Sequence, residues 1–265
     1  MARAPVLFVS HGSPMFAVEP GRLGPLLQGI GPRFAAARAV LVVSPHWQSP
    51  GVEVMTSAAP ATVHDFGGFP DELHRLAYDA PGAPEAAQQV LAHLRSAGVD
   101  ARADAARGRD HGVWVPMRYL LPAAATPVFQ MSLPLGLDAA GAHALGRLLA
   151  PLRETGIAVV GSGSLTHNLH EFRRRPADAG YAQAFADWVR RAVLARDDAA
   201  LVHYLARAPH AQRAHPTDEH YLPLLVAAGA ARGDDVPTHL DGGMTYGVLS
   251  MDSYLWDAAA ANTPR

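Results

Sequence analysis

The 265-residue sequence contains no cysteine, and this absence excludes several kinds of site at once. Disulfides, thiolate nucleophiles, iron–sulfur clusters and sulfur-ligated zinc all require cysteine side chains. Any metal in this protein is therefore expected to be bound by nitrogen and oxygen atoms. The chain is long enough to bury a substantial core, and hydrophobic residues at 49% with charged residues at 17% are typical of a globular protein.

The sequence also lacks a charge excess and a long hydrophobic run. Its formal net charge is -2 and its pI is about 6.7, so no basic surface for nucleic acid or anionic lipid is expected. No apolar run reaches the length of a membrane span, and the N-terminal region lacks the features of a signal peptide. We therefore predict a cytoplasmic protein that acts on a small molecule and binds neither nucleic acid nor membrane.

No internal repeat, linker or low-complexity segment divides the chain, so one domain over residues 1–265 is predicted. Short β-branched runs alternate with helical periods, which is typical of an α/β domain with a mostly parallel central sheet flanked by helices. The predicted strands cover residues 6–9, 40–43, 52–56, 99–103, 128–132, 157–160 and 247–254. The predicted helices cover residues 84–97, 139–154, 181–195 and 217–230.

Three histidines lie where this regular pattern stops. His11 and His46 follow the predicted strands at residues 6–9 and 40–43, and His220 lies near the start of a predicted helix. The carboxyl ends of parallel strands form the edge where ligands bind in open α/β sheets. Because neutral imidazole is the commonest side-chain metal ligand, we predict that the three histidines bind one metal ion. The alternative is that each is an ordinary turn or surface histidine.

The third ligand has a competitor in the adjacent Glu219. Two histidines and one carboxylate form the usual non-haem Fe(II) triad, whereas three histidines also resemble a zinc site. Neighbouring side chains on a helix point about 100° apart, so both cannot easily face the same ion. We favour His220.

Two further histidines are candidates for proton transfer. His111 follows Asp110 in a turn-rich stretch, where the carboxylate could orient the imidazole. His167 follows the predicted strand at residues 157–160. Histidine suits acid and base catalysis near neutral pH. Residues 58–83 have no clear period, and a loop of this length in a compact domain is usually functional.

Seven segments occur in order along nearly the whole chain: SHGSPM (10–15), SPHW (44–47), HDFGGFP (64–70), DHGVW (110–114), GSGSLTHN (161–168), EHYLPL (219–224) and GVLSMD (247–252). Together they resemble the class III extradiol ring-cleavage dioxygenases, and within that class the 4,5-DOPA extradiol dioxygenase branch. The resemblance implies one α/β domain with a non-haem metal that is bound by His11, His46 and His220. It also implies Fe(II) for activity, with Zn(II) able to occupy the same site.

The resemblance further implies that a catecholic, DOPA-like diol reacts with O2 to give a muconic semialdehyde. His167 would be the acid and base, and His111 would assist. The substrate mouth is expected at residues 64–81, and the residues expected to bind substrate are His64, Phe66, Phe69, His74 and Tyr221.

The sequence departs from the family pattern in ways that leave its substrate specificity open. The branch commonly has tyrosine where this chain has His74, and proline where it has Asp79. In the wider class the third ligand is a glutamate. Two other functions remain as alternatives: a zinc-dependent hydrolase that uses the same histidines, and a non-enzymatic binding protein similar to the Memo proteins.

Overall fold

The computed structural model describes residues 3–174 and 179–258. Its strands are β1 (Val6–Ser10), β2 (Ala39–Ser49), β3 (Val52–Met55), β4 (Ala101–Asp104), β5 (Val128–Pro134), β6 (Ile157–Gly163), β7 (Asp235–Leu240), β8 (Met244–Thr245), β9 (Leu249–Ser250) and β10 (Ser253–Ala258). Eight of them form one sheet in the order β4-β3-β5-β2-β6-β1-β10-β7, and β8 pairs with β9.

The centre of the sheet is parallel. Strand β6 pairs in parallel with both β1 and β2, and β2 pairs in parallel with β5. Antiparallel pairs occur toward the edges, between β1 and β10, β10 and β7, and β3 and β5. Parallel sheets covered on both faces need continuous apolar strands, and the fully buried β1 satisfies this requirement. The predicted fold, one α/β domain with a mostly parallel sheet, is confirmed.

The helices are α1 (Leu23–Ala35), α2 (Asp71–His74), α3 (Pro84–Ser96), α4 (His111–Leu120), α5 (Ala139–Leu149), α6 (Leu169–Arg174), α7 (Gly180–Ala195), α8 (Asp198–Val202), α9 (Tyr204–Arg207), α10 (Ala211–Ala214) and α11 (Leu222–Ala230). Alternate residues of β1 enter two cores, because side chains of a strand point to opposite faces. Val6 and Phe8 belong to the core cluster that includes residues of α3, α5, α7 and α11, whereas Leu7 and Val9 belong to the cluster that includes residues of α1 and α4.

Several predicted boundaries differ from the structure near the candidate site. Strand β2 continues to Ser49, so His46 lies within it, where the register against β5 shifts between Val43 and Gln48. The helix predicted at residues 217–230 begins only at Leu222, which leaves His220 in the preceding turn. The stretch predicted as turns around His111 is instead the first turn of α4.

Other differences have a local physical reason. The strand predicted at residues 247–254 is divided into β9 and β10, and the helix predicted at 139–154 ends at Leu149 and continues as a 3-10 turn. Helix α1 was not predicted, because its Gly29, Gly31 and Pro32 disfavour a helix in isolation. Strand β7 was not predicted either. Among the described helices, none has the length and apolarity needed to cross a membrane.

Candidate metal centre and substrate cavity

Five histidines surround one cavity of about 530 Å³ at the carboxyl edge of the sheet. They come from distant parts of the chain: the end of β1, the irregular part of β2, the start of α4, the turn after β6 and the turn before α11. They are His11, His46, His111, His167 and His220. The structure therefore brings together all three predicted metal ligands and both predicted proton-transfer residues.

Two of the predicted ligands approach each other with their Nε2 atoms. The Nε2 atoms of His11 and His46 are 3.1 Å apart. The ring centroid of His220 lies 5.4 Å from that of His11 and 5.1 Å from that of His46. Two ligand nitrogens that each lie about 2.1 Å from one ion are separated by roughly this distance. The donor set is thus compatible with a single metal ion bound by nitrogen.

In two of the proposed ligands the Nδ1 atom contacts a side-chain oxygen atom. His11 Nδ1 lies 3.0 Å from Ser162 Oγ, and the Ser162 hydroxyl donates its own hydrogen to the carbonyl oxygen of Gly112. His11 Nδ1 must therefore donate to Ser162. His220 Nδ1 lies 2.9 Å from Glu219 Oε1. Because an ionised carboxylate only accepts hydrogen bonds, this Nδ1 also carries the hydrogen. In both rings Nε2 is left with a lone pair, as metal binding requires.

Burial keeps these imidazoles neutral. Desolvation, together with the neighbouring histidines, holds the pKa of His11 and of His220 well below the ordinary value. Burial also lowers the pKa of His46 to about 4, with a further contribution from His111. Protonation would place positive charge in a site with little water. At neutral pH the three rings therefore have unprotonated nitrogen available for a cation.

Two histidines, His220 and His111, lie close enough to His11 and His46 to be candidates for the third ligand. Ligand atoms of His11, His46 and His111 all lie within 4.8 Å of one another, as do those of His167, Glu219 and His220. His111 is therefore a geometric competitor of His220. Glu219 is occupied by His220 Nδ1 at 2.9 Å and lies 3.7 Å from His167 Nδ1. This carboxylate is thus in position to orient two imidazoles.

His167 lies directly against the proposed ligand His220. Their rings are stacked with centroids 3.5 Å apart and an interplanar angle of 12°. The backbone N–H of His167 donates to Ala214 O at 2.8 Å, which anchors the turn after β6. Burial lowers the pKa of His167, although Glu219 opposes this shift. A neutral imidazole in this position can accept a proton from a molecule bound in the cavity.

The cavity mouth is apolar and partly aromatic. Phe66 and Phe69 line it, as predicted, and so do three residues that the sequence did not indicate: Leu169, Phe172 and Leu249. Such a surface suits the faces of an aromatic ring. Leu169 and Phe172 could not be recognised from the sequence, because the six-residue helix α6 is too short to show a helical period.

Three residues predicted to bind substrate are not among the residues that line the cavity. His64 Nε2 donates to Leu76 O at 2.9 Å, and its ring packs edge-on against Phe66, so it supports that ring without facing the cavity. His74 is exposed, with its ring centroid 5.0 Å from that of Phe66. Tyr221 is fully buried in the core, where its hydroxyl donates to Leu201 O and its ring packs on Tyr204. The prediction for Tyr221 therefore disagrees with its position, because its side chain is buried in the core and does not line the cavity.

A buried arginine holds the loop that carries the aromatic residues. Arg109 is fully buried, and its guanidinium donates to five backbone carbonyls, those of Pro60, Tyr78, Ala80, Pro81 and Val128. The backbone of Arg109 also pairs with Ala61 and Val63. These bonds attach both ends of the loop to the sheet next to His111. The sequence did not indicate this role, since a single arginine in a turn has no distinctive pattern.

Comparisons with known proteins identify the family to which the chain belongs. Residues 5–250 match the family described as the catalytic LigB subunit of aromatic ring-opening dioxygenase. The chain belongs to this family. The LigB resemblance extends to individual relatives along most of the chain. The sequence is 36% identical over 254 residues to 4,5-DOPA dioxygenase extradiol of Escherichia coli (strain K12), covering 94% of this chain and 93% of the relative.

Two further similarities support the same assignment. The protein of the same description from Beta vulgaris is 34% identical, covering 93% of this chain and 94% of the relative. A crystal structure of an uncharacterized protein from Escherichia coli K12 matches with a TM-score of 0.79 at 30% identity, over 96% of this chain and 99% of that chain. The predicted family and the prediction of a ring-cleaving dioxygenase are confirmed. The hydrolase and binding-protein alternatives gain no support.

Proposed function

We propose that this LigB-family enzyme is a metal-dependent extradiol dioxygenase that opens the ring of a DOPA-like catechol with O2 and yields a muconic semialdehyde. His11, His46 and His220 are the proposed ligands. The observation that carries the proposal is the convergence of three neutral imidazoles, two of them buried and His46 partly buried, on one aromatic-lined cavity. The relatives described as 4,5-DOPA dioxygenases support the substrate class.

The donor set suits the proposed metal. Nitrogen ligands without cysteine are compatible with Fe(II) and with Zn(II). Fe(II) supplies the electron transfer between catechol and O2 that side chains cannot supply, whereas Zn(II) has no accessible redox change. We therefore propose Fe(II) as the active metal, and Zn(II) as an ion that can bind in the same site without supporting turnover.

The protein's own residues have distinct proposed roles. His167 accepts a proton from a catechol hydroxyl and returns it when the oxygen–oxygen bond breaks, because its lowered pKa leaves it neutral beside the ligand His220. His111 assists as a second hydrogen-bonding group at the cavity wall. Phe66, Phe69 and Phe172 contact the faces of the substrate ring and exclude water from the reacting atoms.

Metal analysis beside oxygen uptake tests this function. The protein is loaded anaerobically with Fe(II) or with Zn(II), and oxygen uptake is then measured with a panel of catechols. We expect rapid uptake and a yellow product with Fe(II), and catechol binding without uptake with Zn(II). The variants His11→Ala and His46→Ala are expected to lose bound metal, whereas His167→Ala should retain metal and fold but lose turnover.

The control is His203→Ala, since His203 is exposed and does not line the cavity. This variant should match the unchanged protein in metal content and rate. A metal-free but active His46→Ala variant would contradict the ligand assignment. Hydrolysis of a substrate without oxygen uptake would contradict the proposed ring-opening reaction with O2.

A further inference from the structure

The carboxylate that contacts His111 is not its sequence neighbour. Asp110, which was expected to orient this imidazole, is fully buried and accepts hydrogen bonds from Ser44 Oγ, Arg107 Nη2 and Gln130 Nε2. Asp65 contacts His111 instead, from the loop that also carries Phe66. The pairing of Val63 with Arg109 brings the two segments together, with Val63 N donating to Arg109 O at 2.8 Å.

Asp65 contacts His111 at two atoms. Its Oδ1 accepts from the backbone N–H of His111 at 2.9 Å and lies 3.0 Å from His111 Nδ1. The same carboxylate oxygen thus faces both the backbone N–H and the ring of His111. The ionised carboxylate can only accept hydrogen bonds. His111 therefore has its hydrogen on Nδ1, and Nε2 is the nitrogen that can accept a proton.

The other oxygen of the same carboxylate faces a proposed metal ligand. Asp65 Oδ2 lies 3.7 Å from Nδ1 of His46, whose Nε2 lies 3.1 Å from Nε2 of His11. An imidazole that binds a metal through Nε2 has its hydrogen on Nδ1. At 3.7 Å this contact is too long for a hydrogen bond, but the negative carboxylate favours a hydrogen on the ring nitrogen that faces it. An amide of the same shape presents an acceptor to one ring and a donor to the other.

We propose that Asp65 is a positioning residue that holds both His111 and His46 as Nδ1–H tautomers. Their Nε2 atoms are then directed into the cavity, where metal and substrate are proposed to bind. The inference rests on the proposed function, because His46 is there a ligand and His111 a proton-transfer residue. It means that the loop bearing the substrate-lining Phe66 and Phe69 also sets the orientation of the metal site. Loss of the Asp65 carboxylate thus impairs the reaction without removing a substrate contact.

The side-chain tautomers are measured directly, by long-range ¹H–¹⁵N NMR correlations of histidine in the metal-free protein. Signals are assigned by their loss in His111→Gln and His46→Gln. We expect both rings as Nδ1–H tautomers in the unchanged protein. In Asp65→Asn one of the two rings should change its tautomer, and in Asp65→Ala both rings should become mixtures. Thermal unfolding of each variant confirms that it is folded.

Kinetics of the Fe(II)-loaded enzyme provide a second readout. Loss of a group that orients a ligand typically lowers metal affinity or activity about 10- to 100-fold. We therefore expect Asp65→Asn to lower kcat within this range and to leave KM for the catechol close to that of the unchanged enzyme. Asp138→Asn is the matched control, because Asp138 Oδ1 also accepts from a helix N-terminal N–H, that of Gly141, but contacts no imidazole.

The proposal is overturned if both rings keep their Nδ1–H tautomers in Asp65→Ala, or if Asp65→Asn raises KM without lowering kcat. It is also overturned if Asp138→Asn has the same effect, since helix capping alone would then explain the result. If the unchanged protein opens no catechol ring, the proposed function fails, but the tautomers in the metal-free protein still decide the role of Asp65.

Discussion

Oxygen atoms of neighbouring side chains orient three imidazoles of this site, each through one contact. His11 is held by Ser162, His111 by Asp65 and His220 by Glu219, in each case through Nδ1. The oriented ring loses little freedom when a metal binds, so less free energy is spent on ordering the side chain. Geometry alone admits His111 or His220 as the third ligand, because both line the cavity and ligand atoms of His111 lie within 4.8 Å of those of His11 and His46.

Substitution shows which of His220 and His111 binds the metal. We expect His220→Ala to lose bound metal, because a ligand is removed, and His111→Ala to keep one ion per chain while losing turnover. Glu219→Ala should retain the ligand but weaken metal binding about 10- to 100-fold, since His220 is no longer oriented. Calorimetric titration of the metal-free variants with Zn(II) measures all three. Retention of metal by His220→Ala and its loss from His111→Ala would assign the site to His11, His46 and His111.

At the scale of elements, the position of His220 depends on close contact between β6 and the segment that leads into α11. A Cβ atom on Gly161 would lie 2.0 Å from Pro223 O, and one on Gly163 would lie 2.3 Å from His220 O. Gly163 O also accepts from His11 N at 2.9 Å, and Ser164 N donates to His220 O at 3.0 Å. Glycine in β6 thus allows two proposed ligands to be attached to one strand.

Gly163→Ala tests this contact. The added methyl group meets a backbone carbonyl that cannot move alone, so we expect a loss of about 1–3 kcal/mol in the free energy of unfolding. Metal affinity should fall as well, because His220 is displaced. Gly29→Ala is the control: it lies in α1 with no atom within 4 Å of a built Cβ, and alanine favours the helix by up to about 1 kcal/mol. Urea unfolding measures both, and equal effects would argue against the contact.

The sequence predicts an element when the residues of that element alone determine its structure, and it fails when pairing with a distant segment determines it. Strand β1 is recognisable because its residues are apolar and buried on both faces. Strand β7 alternates between buried and exposed positions at the sheet edge and contains Pro237, so its pattern is weak. The division of residues 247–254 between β9 and β10 follows from pairing with other strands. A segment read alone does not reveal this pairing.

At the scale of the whole molecule, the fold buries several histidines in a neutral state. Burial lowers the pKa of His215 to about 4, against a smaller opposing effect of its hydrogen bond to Leu165 O. The pKa of His46 is lowered to the same value, and the values of His11, His167 and His220 are lowered as well. In the unfolded chain these groups titrate near 6.5. Stability therefore depends on pH.

The direction follows from proton binding. Between pH 6.5 and pH 4 the unfolded chain binds more protons than the folded chain, so the free energy of unfolding falls as the pH falls. Each group contributes up to about 1.4 kcal/mol per pH unit in this range. Asp218 and Asp252, whose pKa values are raised by burial, act in the opposite direction but are fewer.

We therefore expect the metal-free protein to lose stability steadily from pH 7 to pH 4.5, as measured by urea unfolding. His215→Gln removes one of these groups outside the cavity, so its stability should depend less steeply on pH. His203→Ala should keep the full slope. A free energy of unfolding that stays constant or rises as the pH falls would mean that these histidines are protonated in the folded state.

The sequence by itself determined the ligand chemistry and the edge of the sheet where it occurs. Without cysteine a metal is expected to be bound by nitrogen and oxygen, and histidines at or near the carboxyl ends of parallel strands are local features that such a sheet brings to one side. Only the tertiary structure decided how those rings are oriented. Asp65 rather than Asp110 contacts His111, across a separation of 46 residues, and Tyr221 enters the core although it adjoins His220. Side-chain direction depends on which distant segments pack together, and a linear pattern does not encode that contact directly.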